Sequence, residues 1–357
     1  MRDRFARRSR LALFTALAGI GFAVLFPAAD VLAQSGAGQS AVVLNYQRFG
    51  ENQYPQTSVA TAQFEAHIKL LAGDRYNVTT AANIVSSLLA GERLPNRTVA
   101  ITIDDAYRSA YEVAWPRLKA AGLPVTVFVS TDPVDQGLRG YMNWDQIREM
   151  RDAGATIGAH TASHPHMVNR SPEENRADME RSLVRFEEEL GQRPKLFSYP
   201  HGEMSLAVRE IVAGAGFDAA FGQHSGTVNA ALDRYFLPRF SINERYGGMS
   251  EFRMRLDTLG LPVHDLSPQD PYIAAAEAPV IAFTLGEGVV RGRKFACFYA
   301  QGNDSFVEVP VAELDGLRRE LRFDKPFRNG AWRINCTMPT GGKRYRWFGM
   351  QFFSAGG

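Results

Sequence analysis

Short runs rich in apolar and β-branched residues punctuate the chain: AVVLNY (41–46), AITID (100–104), PVTVFVS (124–130), ATIGAH (155–160), KLFSYP (195–200) and DAAFGQ (218–223). Each is bounded by Gly, Pro or polar residues, as strands are. Between most of them apolar residues recur at helical spacing, Phe64, Ile68 and Leu71 in one stretch, Ile147 and Met150 in another. Ser171 followed by Pro172 and two acids is a strong helix start, with Ser as N-cap and Pro at the first helical position. Such alternation lets helices cover both faces of a parallel sheet, so the pattern predicts an α/β fold, either a barrel or a doubly wound sheet. No G-x-G-x-x-G follows the first run, which argues against dinucleotide binding.

Chemistry collects at the ends of these runs. AITI leads into two adjacent acids, Asp104 and Asp105. Neighbouring carboxylates repel, and burying either is costly unless a cation or hydrogen-bond donors compensate; alone, the pair reads first as a turn. His160 follows ATIGA, His164 comes four residues later, and Pro165 blocks a simple helix there. That spacing lets two imidazoles converge on one ion, although a solvated loop would look the same. Pro200 and His201 follow KLFSY, and His224 follows DAAFGQ. All of these lie at the C-terminal end of a predicted strand, where parallel barrels carry their active sites. Two imidazoles and one carboxylate leave open positions on a divalent metal, the catalytic pattern. One Asp would bind the metal and the other act as base on metal-bound water.

TIDDAY, H-T-A-S-H from His160, FSYPHG from Phe197, WDQIREMRDAGATIGAHTASHPHM and LPRFSI occur in the order in which the polysaccharide deacetylase family carries them. From about residue 42 to about residue 245 the chain resembles that family, also called carbohydrate esterase family 4 or the Nod-factor deacetylase homology domain. FSYPHG is similar to the version found in exported poly-N-acetylglucosamine deacetylases. The resemblance implies a distorted (β/α) barrel and a divalent metal, usually zinc, held by Asp105, His160 and His164. It further implies Asp104 as general base, a backbone N–H from the loop of Tyr199, Pro200 and His201 at the oxyanion, and an N-acetylated glycan as substrate.

The chain also departs from the family. Ser198 stands where many members carry an Arg that orients the base, Gln47 where a His is frequent, and His201 where an aromatic is common. No Leu-x-His motif supplies a proton donor, so His224 is the candidate catalytic acid, against a structural histidine. Arg239, in LPRF, is a candidate for the substrate site or for orienting Asp104 or His224, against a surface ion pair. Tyr107 and Trp144 are candidates for stacking on sugar, against simple core positions. The competing functions are a glycan-binding protein that retains the fold and a metal-dependent amidase on a non-sugar substrate.

The N-terminus reads MRDRFARRSR, then the apolar LALFTALAGIGFAVLFPAA, then small residues through Ala33. This predicts an export signal over residues 1–33 and an exported, periplasmic or secreted product. The alternative is an uncleaved anchor, but Gly19, Gly21 and Pro27 weaken a span, and no stable one is expected after signal removal. A net charge of +2 without a basic stripe gives no argument for nucleic acid. Cys297 and Cys336 are the only cysteines, which in an oxidising compartment predicts one disulfide, two buried thiols being the alternative. After a catalytic domain over 34–260, the Pro-rich LPVHDLSPQDPY marks a linker over 261–274. Beyond it Phe295, Cys297 and Tyr299 share one face, as do Trp332, Ile334 and Cys336, so residues 275–357 are predicted to form a small β-sandwich. Within it Tyr345 and Trp347 are either glycan contacts or packing residues.

Overall fold

The computed structural model describes residues 40–274, 278–286, 289, 294–302 and 304–355. The expected export signal lies outside them. All the apolar runs become strands, Ser40–Tyr46, Thr98–Ile103, Thr126–Val129, Thr156–Ala159, Leu196–Ser198 and Ala219–Phe221, side by side in that order and all parallel. The first three are buried at every residue, which is why they read as continuous apolar stretches rather than alternating ones. One side, through Val42, Leu44, Val99, Ile101 and Val127, shares a core with helix residues Phe64, Ile147, Met179, Leu183 and Val208. The other side, through Val43, Ala100, Phe128, Leu196 and Phe221, packs on itself and on Ala81, Ile84 and Val85 of the helix Ala81–Leu89. That interior is tight: a Cβ on Gly158 would lie 2.4 Å from the Phe128 ring.

The sheet curls until a single segment joins its two edges. Leu237 bridges in parallel to Phe221 on the last strand, and Phe240–Ser241 pairs in parallel with Leu44 and Asn45 on the first. The fold is therefore the distorted barrel expected, and Arg239 sits in its seam. The longest helix among the described residues, Pro172–Leu190, begins as its sequence dictates: Ser171 Oγ accepts from the Glu174 N–H, while Glu174 Oε2 accepts from the Ser171 N–H. It ends at Gly191, whose φ of 71° suits a residue without a Cβ. Among the described residues no helix is long and apolar enough to cross a membrane.

The C-terminal region is β-rich, as expected, but it starts earlier. The stretch read as a linker is itself strand: Leu259–Gly260 and Tyr272–Ala274 pair in parallel with Tyr345–Ala355, and Val263–Ser267 pairs with Val280–Leu285. Its prolines misled because they fall between these short strands, at 262, 268 and 271, where no ladder hydrogen bond is needed. A six-stranded and a four-stranded sheet result, and they meet through contacts such as Phe283 against Phe348, with ring centroids 5.5 Å apart. Cys297 and Cys336 are opposite neighbours on antiparallel strands, fully buried and joined by a disulfide.

Candidate active site

Past Ile103 the chain turns sharply. Asp105 and Ala106 take φ of 73° and 56°, a left-handed pair that costs L-residues energy and is held by the surrounding fold. The turn sends the two acids to different partners. Asp105 Oδ1 lies 3.3 Å from His160 Nε2 and 3.2 Å from His164 Nε2. Thr161 and His164 also adopt positive φ, 65° and 54°, curling the loop so that both rings face one point. Asp178 holds that loop from the long helix: its carboxylate accepts from the Ala162 and Ser163 N–H groups and from Ser163 Oγ.

Three atoms, Asp105 Oδ1, His160 Nε2 and His164 Nε2, are buried without a hydrogen-bond partner and lie within 4.8 Å of one another. His160 Nδ1 is 2.6 Å from the Ser198 carbonyl, which can only accept, so this nitrogen carries the proton and Nε2 presents a lone pair. Burial alone would raise the Asp105 carboxyl, but the two imidazoles hold it well below the usual carboxylate range. Burial likewise opposes protonation of His160, yet Asp105 and Asp104 raise its pKa. Orphaned donor atoms of one hard and two borderline ligands, aimed at a common point, suit a divalent cation.

Asp104 turns inward. Arg239 Nη1 and Nη2 donate to its Oδ1 and Oδ2, each at 2.8 Å, and Nη2 also donates to Ser198 Oγ at 2.8 Å, which in turn donates to Asp104 Oδ2 at 3.3 Å. The guanidinium is completed by Thr102 Oγ1 and the Gly222 carbonyl, at 3.0 and 2.9 Å, over the rings of Phe128 and Phe221. Both partners are 0% exposed. Arg239 is thus not a surface ion pair, and it is not among the residues that line the cleft. It approaches Asp104 from the seam, and Ser198 hydrogen-bonds both groups.

The remaining expected residues separate. His201 lines the cleft beside His164, ring centroids 4.5 Å apart, and stacks on His166 at 3.9 Å. His166 in turn pairs with buried Glu203 at 2.9 Å. Tyr199 does not line the cleft: it is fully buried, donating its hydroxyl to the Tyr235 carbonyl, and Pro200 beside it is buried too. Tyr107 lies under the Arg48 guanidinium, 3.4 Å from the ring centroid, and beside Tyr141. Trp144 is core, edge-on to Phe186. His224 lies against Phe236 and lines a cavity of about 190 Å³ with Met204, Pro238 and Trp347, apart from the cleft that His164 and His201 line. Burial, and then the charge of Arg239, push its pKa down to about 3. The structure does not bring His224, the expected proton donor, to the group of Asp105, His160 and His164.

The cleft over His164 measures about 760 Å³. Asn45, Gln47, His166, Glu203 and Asn243 line it from the barrel, and Gly302, Arg333 and Gln351 from the C-terminal sheet. Neither the wall from the second sheet nor the Asp178 clamp was recognised in the sequence. The clamp had left a signal: Asn175, Asp178 and Ser182 place polar groups at helical spacing on the buried face of their helix.

Residues 91–220 match the family described as Polysaccharide deacetylase. The polysaccharide deacetylase-type protein YxkH of Bacillus subtilis is 25% identical over 190 residues, 53% of this chain and 67% of that one. The poly-beta-1,6-N-acetyl-D-glucosamine N-deacetylase of Staphylococcus aureus is 24% identical over 233 residues, 57% of this chain and 79% of that one. Among solved structures, the Streptococcus pyogenes deacetylase PplD in complex with acetate shares the fold with a TM-score of 0.57 at 22% identity, over 61% of this chain and 98% of that one.

Proposed function

Because residues 91–220 belong to the polysaccharide deacetylase family, we propose that the protein hydrolyses N-acetyl groups on an extracytoplasmic polysaccharide, with Asp104 as base. The observation that carries the reading is the contrast between the two adjacent acids. Asp105 joins a set of partnerless metal-type donors, while Asp104 is fixed in place by a buried guanidinium.

Asp105 Oδ1, His160 Nε2 and His164 Nε2 would hold a divalent ion, zinc being the first choice, which when bound would supply Lewis acidity at the acetyl carbonyl. The protein's own groups account for the other steps. Asp104 Oδ2 accepts two hydrogen bonds and Oδ1 one, so Oδ1 keeps a lone pair for the proton of the attacking water. Arg239 and Ser198 keep that carboxylate from rotating away. Of the loop N–H groups that could meet a developing oxyanion, Tyr199 spends its own on the Phe221 carbonyl and Pro200 has none, which leaves His201. The name of the staphylococcal relative favours poly-N-acetylglucosamine over peptidoglycan or chitin as substrate. The buried disulfide favours an oxidising compartment.

The test pairs metal stoichiometry with acetate release. Asp105→Ala, His160→Ala and His164→Ala should lose metal and activity together. Asp104→Asn should keep the metal and lose about 10²- to 10⁴-fold in rate, the range of general-base catalysis. Nearly full activity in Asp104→Asn, or a rate untouched by stripping the metal, would replace this reading with that of a glycan-binding protein or another hydrolase.

A further inference from the structure

The second sheet does more than cap the barrel. Register along its strands aligns Phe298 with Asn335, Arg333 with Gln351, and Thr337 with Trp347, so these side chains share one face. The opposite face carries Cys297, Ile334, Cys336 and Phe348 into the sandwich core. The first face meets the barrel beside the active site. Gln351 Nε2 donates to the His201 carbonyl at 2.9 Å, and Trp347 stands edge-on to Phe240, centroids 5.5 Å apart.

A second groove, of about 480 Å³, continues from the cleft. The two share Gln223, Ser241, Tyr246 and Arg333 as lining residues. The continuation adds the aromatic rings of Phe298, Phe306, Tyr345 and Trp347, with Asn335 and Thr337 between them. Tyr345 is 41% exposed, and Arg333 lies 5.8 Å from the Phe306 centroid. Arg333 donates to the Gly302 carbonyl and, among the described residues, has no carboxylate within ion-pairing distance. A groove of half-buried rings and one exposed ring, interleaved with amide, hydroxyl and guanidinium donors, matches one ligand chemistry well. Sugar rings offer apolar C–H faces for stacking and hydroxyl and acetyl oxygens for hydrogen bonds, repeated along a chain.

We propose that this groove binds consecutive units of an N-acetylated glycan whose reacting unit sits over His164, with Phe298, Phe306 and Tyr345 stacking on sugar rings and Arg333 donating to their oxygens. The inference rests on the deacetylase reading and adds that the C-terminal sheet selects long chains over short ones.

Acetate release on a graded series of N-acetylglucosamine oligomers tests it. In the wild type kcat/KM should keep rising beyond the length that fills the cleft. Tyr345→Ala should flatten that rise, costing about tenfold on the longest oligomers and mostly in KM, the loss expected for an aromatic anchor, while Tyr345→Phe restores it. Leu314→Ala, exposed beside the other sheet, should change nothing. An equal loss on short and long oligomers, or no loss with Tyr345→Ala, overturns the proposal. Calorimetric binding of the same oligomers to Asp104→Asn protein separates the two failures. Length-dependent binding without acetate release from the wild type sinks the deacetylase reading and keeps the groove; acetate release without length dependence sinks the groove alone.

Discussion

Replacing Arg239 by Met removes a charge of similar length from the most enclosed polar contact in the barrel. The native guanidinium makes five hydrogen bonds of 2.8 to 3.0 Å with no exposure to water. After the substitution Asp104 keeps only its 3.3 Å contact from Ser198, in a site where it is 0% exposed. Breaking a buried ion pair from one side costs about 3–5 kcal/mol, because the surviving charge is left without compensation. For a domain of this size each kcal/mol moves the melting temperature by about 2–4 °C, so Arg239→Met should melt roughly 6–20 °C lower. The charge, rather than lost packing, is isolated by a cycle with Asp104→Asn. The double variant should be less destabilised than the sum of the single ones by about 1 kcal/mol or more. Thermal unfolding followed by circular dichroism on all four proteins gives the numbers. An Arg239→Met protein that melts within about 2 °C of wild type, or a strictly additive cycle, refutes the reasoning.

Other perturbations follow from the same contacts. Gly349→Ala would place a Cβ 1.9 Å from the Ser225 carbonyl oxygen, a backbone atom that cannot swing aside, so it should cost at least about 1–3 kcal/mol in urea unfolding. Removing the disulfide with Cys297→Ser and Cys336→Ser opens a loop with a sequence separation of 39 and should cost about 4 kcal/mol in the chain-entropy account, read in the same assay. His67, buried between Tyr46 Oη and the Gly247 carbonyl, has its pKa pushed by burial from 6.5 to about 4. Its folded state binds the proton less readily than the unfolded chain, so the stability it contributes is full above pH 6.5 and drains as pH falls toward 4, by roughly 3 kcal/mol. His67→Gln should flatten the acid limb of the stability-pH curve.

Parts of the molecule were legible because they depend on neighbours in sequence. Periodicity located the barrel strands, Ser171 and Pro172 marked the start of their helix, and the cross-strand cysteines followed from their number and the inferred compartment. The acid and imidazole positions at strand ends could be read because a parallel barrel gathers those ends on one rim. What failed depends on long-range pairing. Arg239 could be read as a candidate to orient Asp104 or His224, but its burial could not, because a charge in a loop between Pro238 and Phe240 is ordinarily solvated; only closure of the seam carries it indoors. His224 read as a site residue because it also follows a strand, but its loop turns the ring toward Phe236 instead of the rim. The segment over 261–274 read as a linker because its strands are short, and the partner of Tyr272–Ala274, Tyr345–Ala355, comes some 70 residues later.

The seam also fixes when the site can exist. Asp104 and Arg239 are separated by 135 residues, and the segment that carries Arg239 bonds to the first strand of the sheet as well as to the last. A chain that has folded only through Ala219–Phe221 holds an acid in a closing, water-poor interior without its counter-ion, which favours keeping the curl open. Such non-local contacts are slow to form, so barrel closure and the arrival of the guanidinium are one late event. Regain of activity on refolding should therefore lag behind helix formation and coincide with burial of the interior aromatic rings, because no partly folded intermediate pairs Asp104 with Arg239.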